Sequence, residues 1–233
     1  MSTNGYFRVS GLVLVLGSLA GVGCHLVDSF FFGNTTAYAN QPIYTLNEFG
    51  LAAATIVVLL GLAGVYGSRA AGFGVAGFIG MALVFTAEIM IGVFGNLWGA
   101  MVEPWLAMQA PNLANGYGPP AFFAFYNVEE AALVAGSILL AIPLLRGGVS
   151  PRWAAVPLLL SVVLGVLTFF LGVDANTLGI SLLDAVPHVL LLVALAALGY
   201  QSWAQPSPAG DFGQRTAEAG RSSTTTTNLG GVR

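Results

Sequence analysis

The chain has 233 residues, of which 56% are apolar and 7% charged, with a mean hydropathy of +0.82 and a net charge of −3. A soluble domain carries about 25% charged residues, so this balance excludes a water-soluble fold. All seven basic residues are arginine, none is grouped into a patch that would mark a nucleic-acid partner, and the single cysteine, Cys24, excludes an intrachain disulfide. Abundant Ala, Gly, Val and Leu without any lysine fits a GC-rich bacterial genome.

Six apolar segments have the length of a bilayer-crossing helix, at 9–32, 47–66, 72–98, 128–145, 153–172 and 180–200. The expected fold is therefore all-α, a polytopic six-helix membrane bundle forming one domain over 1–200. The first segment resembles a signal peptide, and Gly21-Val22-Gly23-Cys24 hints at a lipoprotein cleavage site. Gly21 stands where such sites have Leu or Val, and the apolar run continues to Phe32, so an uncleaved span is expected. A polar loop with Tyr38 and Tyr44 follows over 33–46, and a tight turn carrying Arg69 separates the second and third spans. The longest loop, 99–127, holds Pro104, Pro111, Pro119 and Pro120 among Trp105, Tyr117, Phe122, Phe123, Phe125 and Tyr126. That aromatic density marks a membrane–water interface, with a short interfacial helix over 101–110. Pro157 falls in the first turns of the fifth span, where a missing N–H is tolerated. Residues 201–233, rich in Ser, Thr, Gly and Pro, cannot bury a core and are expected to form a disordered cytoplasmic tail.

Threading six spans puts Arg8, Arg69, Arg146, Arg152, Arg215, Arg221 and Arg233 on one side. The positive-inside rule makes that side cytoplasmic, so both termini are inside and the protein belongs in the inner (plasma) membrane. Asp28, Glu48, Glu103, Glu129, Glu130, Asp174 and Asp184 take the opposite side. A negative outer face concentrates cations. The bland reading is that Glu48, Glu129, Glu130 and Asp184 begin helices, where an acid suits the helix dipole.

The third span carries one carboxylate, Glu88, well inside the apolar stretch. At about 100° per residue, Gly74, Gly77, Met81, Val84, Gly92, Gly95 and Gly99 share its face. Glycines on one stripe let helices approach closely, so Glu88 is expected to face protein and to be protonated, paired or wetted by a cavity. His25 and His188 lie at nearly the same depth as Glu88, about 10–15 Å in from the outer ends of their helices. Each has an acid on its own helix face, Asp28 three residues after His25 and Asp184 four residues before His188. The candidate transport or buried polar set is therefore Glu88, His25, Asp28, Asp184, His188 and Glu130.

Three readings compete for this set. The polar groups bond helices together in a non-enzymatic bundle or accessory subunit. Alternatively Glu88 exchanges a proton or cation with the histidines assisting. A third reading has two histidines ligating a haem, or histidines and a carboxylate holding a metal. No CxxCH, HxxxH or HExxH spacing supports the third, so no catalytic residue, metal or cofactor is assigned, and the chain is read as not an enzyme. The expected partners are the bilayer and a second copy or another membrane protein.

The turn Gly148-Val149-Ser150-Pro151-Arg152-Trp153-Ala154 resembles one in a broad group of six-helix bacterial integral membrane proteins, common in actinobacteria and without an assigned activity. Val102-Glu103-Pro104 and the histidine near the outer end of the first span are similar too. The chain departs from that group in having Cys24-His25-Leu26-Val27 where a His-Pro pair is frequent, and in its long tail. The resemblance implies a fold and a location, not a catalytic role. Physically, Pro151 fixes φ, Arg152 anchors to headgroups and Trp153 sits at the interface.

Overall fold

The computed structural model describes residues 3–31, 39–111, 120–147, 149, 151–171 and 178–204. These are almost wholly helical, with no strand among them. The elements are α1 (Thr3–Phe31), α2 (Pro42–Ala87), a π-helix (Glu88–Gly95), α3 (Asn96–Met101), α4 (Glu103–Gln109), α5 (Pro120–Leu145), a 3₁₀ turn (Arg152–Ala154), α6 (Ala155–Leu171) and α7 (Leu178–Ala204). Among the described residues, four helical runs are long and apolar enough to cross a membrane: Gly5–Ser29, Pro42–Gln109, Ala124–Leu145 and Ala185–Ala204, the second of them 68 residues long. Large apolar side chains face outward, with Leu16, Leu19, Leu60 and Val75 each more than half exposed. Such a surface suits lipid, not water.

The long second run doubles back on itself. Arg69 (φ −132°, ψ 15°) and Gly74 (φ 59°, ψ −166°) leave helical geometry, and only glycine takes the Gly74 conformation without strain. The chain then returns antiparallel to itself: Tyr66 packs on Phe73 and Phe78 with ring centroids 5.6 and 5.9 Å apart. Further from the turn, Thr55 meets Gly92 and Glu48 meets Gly99. Counting residues 42–68 and 75–109 as two legs, the described residues make a bundle of six legs. Each leg is antiparallel to the next, and α7 returns to α1.

Glycine sets the closest of these contacts. A Cβ on Gly61 would overlap the backbone of Leu14, and one on Gly11 would lie 2.5 Å from the Gly199 carbonyl oxygen. On the other side of the bundle a Cβ on Gly80 would lie 2.6 Å from the Leu140 nitrogen. Between lipid-bathed helices the gain from such approach is dispersion and polar contact, since lipid is as apolar as the helix interface.

The two ends of the bundle differ. Arg8, whose Nε donates to the Trp203 carbonyl at 3.2 Å, lies at the same end as Arg69, Arg146 and Arg152. The main core fills the half of the bundle nearest these arginines, with Leu14, Leu62, Val84, Leu140, Leu158, Leu191 and Leu195 among its buried side chains. The other half carries Asp28, Glu48, Glu103, Glu129 and Glu130. Among the described residues, Ala39, Tyr44 and Ala107 form a small separate core there.

Several boundaries differ from the sequence reading, among them the start of α1, which lies at Thr3 and not at 9. Helix α5 starts at Pro120, not at 128, and α2 starts at Pro42, not at 47. Pro42 opens α2, where its missing N–H costs nothing, and both helices reach N-terminally beyond the apolar stretch. Helix α7 runs to Ala204; the rest of the expected tail lies outside the described residues. The helix-dipole account of the acids therefore loses its geometry, because α2, α5 and α7 have no acid in their first turns.

Candidate functional site

The structure brings three of the six candidate residues together in the acidic half. His25 on α1 and His188 on α7 stack, with ring centroids 5.2 Å apart and planes 10° from parallel. Glu88, at the start of the π-helix, lies close enough to His188 to interact electrostatically. All three are partly buried. The contacts that align α1 and α7 explain the stack, since the antiparallel pairing of Gly11 with Gly199 and of Gly21 with Leu192 brings residue 25 opposite 188.

Glu88 also has a neighbour that the sequence reading missed. The Glu88 Oε2 and Thr55 Oγ1 atoms each reach to 2.8 Å of the point where a Gly92 Cβ would stand. Two oxygens from two legs thus share the notch left by one glycine. The backbone around them is irregular. The π-helix spans Glu88–Gly95, includes Gly92 and Gly95, and is followed by Asn96, whose Nδ2 donates to the Gly92 carbonyl at 2.9 Å. Glycine weakens the competing α register, and the Asn96 amide supplies a donor to the widened turn. π-Helical segments occur frequently at functional sites. The stripe drawn from the sequence is buried at Gly77, Met81, Val84, Gly92 and Gly99; Gly74, at the reversal, is exposed, and Gly95, inside the π-helix, is only half-buried.

Glu130 belongs to the same region by a similar device. Its Oε1 lies 3.0 Å from a Cβ position on Gly165, which in turn is 3.9 Å from the Pro187 Cβ, one residue before His188. Its neighbour Glu129 is 4% exposed and interacts electrostatically with Glu130 and Glu88. Sequence reasoning missed Glu129 because it was placed at a helix start. The adjacent pair of acids was the available signal.

Contacts between helices stand out around the two histidines. His25 meets His188, while Asp28 acts electrostatically on Cys24, Tyr44 and Glu48. The Asp184 side chain lies outside the described residues. A second polar group stands nearer the bundle end. The Tyr44 hydroxyl donates to Glu103 Oε2, and Glu48 Oε2 lies 2.7 Å and the Tyr44 oxygen 3.2 Å from a Cβ position on Gly99.

These geometries bear on what the region can hold. Two imidazoles lying face to face do not aim their nitrogens at one iron between them, as axial haem ligation requires. No group of three or more His, Cys, Asp or Glu side chains placed to hold a metal ion occurs among the described residues. What the arrangement can do is pass protons between an acid, a hydroxyl and two imidazoles. Comparisons with family models, curated proteins and solved structures return no significant match.

Proposed function

We propose that the chain is a bacterial plasma-membrane protein that carries protons, or a cation exchanged for them, through Glu88 with His25 and His188 assisting. The observation behind this is the stack of His25 on His188, with Glu88 near enough to His188 to interact electrostatically, on three different legs in the acidic half of the bundle. An ionisable group inside a membrane is costly and is a functional site by default. Three of them gathered beside a π-helix and two further buried acids exceed what helix adhesion needs.

The same proposal includes six spans with both termini in the cytoplasm. Its support is the six-leg bundle and the gathering of Arg8, Arg69, Arg146 and Arg152 at one end, which the positive-inside rule assigns to the cytoplasm. Membership of the uncharacterised six-helix actinobacterial group belongs to this proposal, on the turn at Pro151-Arg152-Trp153.

The test is proton flux into liposomes containing a pH-sensitive dye, under an imposed gradient. Wild-type protein should conduct and Glu88→Gln should not. Equal flux from the two removes Glu88 from the mechanism.

A second reading, an accessory subunit, draws on the exposed apolar row Phe94, Met101, Trp105 and Met108 along one leg. It calls for a membrane protein that co-purifies in a fixed ratio and is lost on Trp105→Ala.

A further inference from the structure

A carboxyl group that passes protons on must be reloaded, and the surroundings of Glu88 differ by direction. Toward the basic end, the seam between its leg and α5 is closed by Met81, Val84 and Leu140 of the main core. Toward the acidic end it holds Glu129. The register follows from two close contacts: a Cβ on Gly80 would meet the Leu140 nitrogen, and one on Gly136 the Val84 nitrogen. The two legs are therefore antiparallel, and seven residues further along each, Glu129 stands opposite Ile91, beside Gly92. Helix α5 touches the π-helix along this stretch.

Glu129 is turned into the bundle. It is 4% exposed, whereas Val128 beside it is 60% exposed. It lies near enough to Glu88 and to Glu130 to interact electrostatically with both, and Glu130 reaches away from Glu88 toward Gly165 and Pro187. One turn outward on the same helix, Tyr126 interacts electrostatically with Glu129, Glu48 and Glu103. Titratable groups from three legs thus follow one another along α5 from the acidic end inward, and Glu129 stands next to Glu88. The Thr55 oxygen shares the Gly92 notch with Glu88 at the point where this series arrives.

We propose that Glu129 is the group that reloads Glu88 with protons from the acidic end of the bundle; this rests on the transport reading above. When Glu88 gives its proton to a neutral ring nitrogen of His188, it leaves an imidazolium and a Glu88 carboxylate. Protonated Glu129 then gives its proton to that carboxylate. Glu129 is left ionised, Glu88 neutral, and the charge on the pair is unchanged. Glu129 takes its next proton from the groups outward of it. Two carboxylates side by side repel when both are ionised, so the pair works with one proton passing between them.

Isotope exchange at Glu88 tests the delivery step without requiring transport. In the full chain in lipid nanodiscs, the infrared carbonyl band of the Glu88 carboxylic acid is assigned by its loss in Glu88→Gln. Its shift on transfer to heavy water reads how fast protons reach Glu88. Glu129→Gln keeps the shape and removes the exchangeable carboxyl, and should slow that shift by about a hundredfold, the lower end of what a positioned proton carrier contributes. Glu129→Asp restores a carboxyl and should recover most of the rate, which a purely structural role for Glu129 does not predict. An unchanged rate in Glu129→Gln, or a Glu129→Asp as slow as Glu129→Gln, overturns the proposal. The liposome flux should fall and recover in the same two variants. Wild-type flux from Glu129→Gln, with Glu88→Gln blocked, overturns the delivery role while transport through Glu88 stands. Liposomes that never conduct sink the transport reading, and the exchange rate then still decides whether Glu129 delivers protons to Glu88.

Discussion

Replacing Gly61 with alanine tests whether the bundle is set by backbone approach. The new methyl would stand 2.6 Å from the Leu14 Cα, where an ordinary contact begins at 3.4 Å, so α1 and α2 must part by about 0.8 Å. The obstructing atoms are main chain and cannot rotate away. Overpacking of this kind costs about 1–3 kcal/mol, and the upper value applies where only backbone can yield. Alanine returns about 1 kcal/mol of helix propensity, leaving a net loss of about 2 kcal/mol. For a chain of this size that lowers Tm by about 4–8 °C. Gly23 is the control, because nothing stands within 4 Å of its Cβ position. Gly23→Ala keeps the propensity gain alone and should raise Tm by about 2–4 °C. Thermal unfolding in one detergent reads both. If the two variants shift Tm in the same direction by the same amount, close approach at Gly61 does not hold α1 on α2.

Ser18 is fully buried and its hydroxyl has no hydrogen-bond partner. Ser18→Ala therefore removes an unsatisfied polar group and should raise stability by about 1 kcal/mol, visible as a higher Tm in the same assay. The threading is checked with single cysteines on a Cys24→Ser background. Met108→Cys should react with an impermeant maleimide on intact cells, and Ala70→Cys, beside Arg69, should react only after the membrane is opened. Labelling of Ala70→Cys in intact cells would reverse or break the topology.

The path of the chain was legible in the sequence because membrane helices are written in the length of their apolar runs. The reversal near Arg69 showed as well, because a charge and several small residues interrupt such a run there. The short helix expected over 101–110 is α4 at Glu103–Gln109. The depths of His25 and His188 also translated directly, since equal depth on antiparallel neighbours is what allows the rings to stack. Which residues share a face was harder to read. The arithmetic of 100° per residue places Gly77, Gly92 and Gly99 on the buried face and fails at Gly74, where the chain reverses, and at Gly95, inside the π-helix. Helix starts were misread where the helix reaches past the end of the hydropathy signal, back to Pro42 in α2 and at least to Pro120 in α5. That error hid Glu129, which lies well inside α5 and is almost fully buried. Pairing between helices was invisible for a further reason. Own-helix neighbours such as Asp28 and His25 can be read by spacing, whereas the His25–His188 contact depends on how α1 and α7 are docked.

The glycines separate the two halves of this bundle into parts with different freedom to move. In the basic half, the absent Cβ atoms of Gly11, Gly61 and Gly80 face the backbone of a neighbouring leg. Backbone meeting backbone leaves no rotamer to change, so that half is rigid and packs the main apolar core. In the acidic half the notches at Gly92, Gly99 and Gly165 are filled by the carboxylates of Glu88, Glu48 and Glu130. A carboxylate at the end of a flexible side chain can leave such a notch by a rotamer change on a nanosecond scale, without separating two helices. The π-helix and Pro187 fall in the same half, so the backbone near Glu88 and His188 departs from regular α-helix. Rearrangement around Glu88 therefore needs no disturbance of the contacts that hold the legs together. A rigid half that keeps the threading and a polar half that can change partners is the division of labour that ion passage through a small bundle requires.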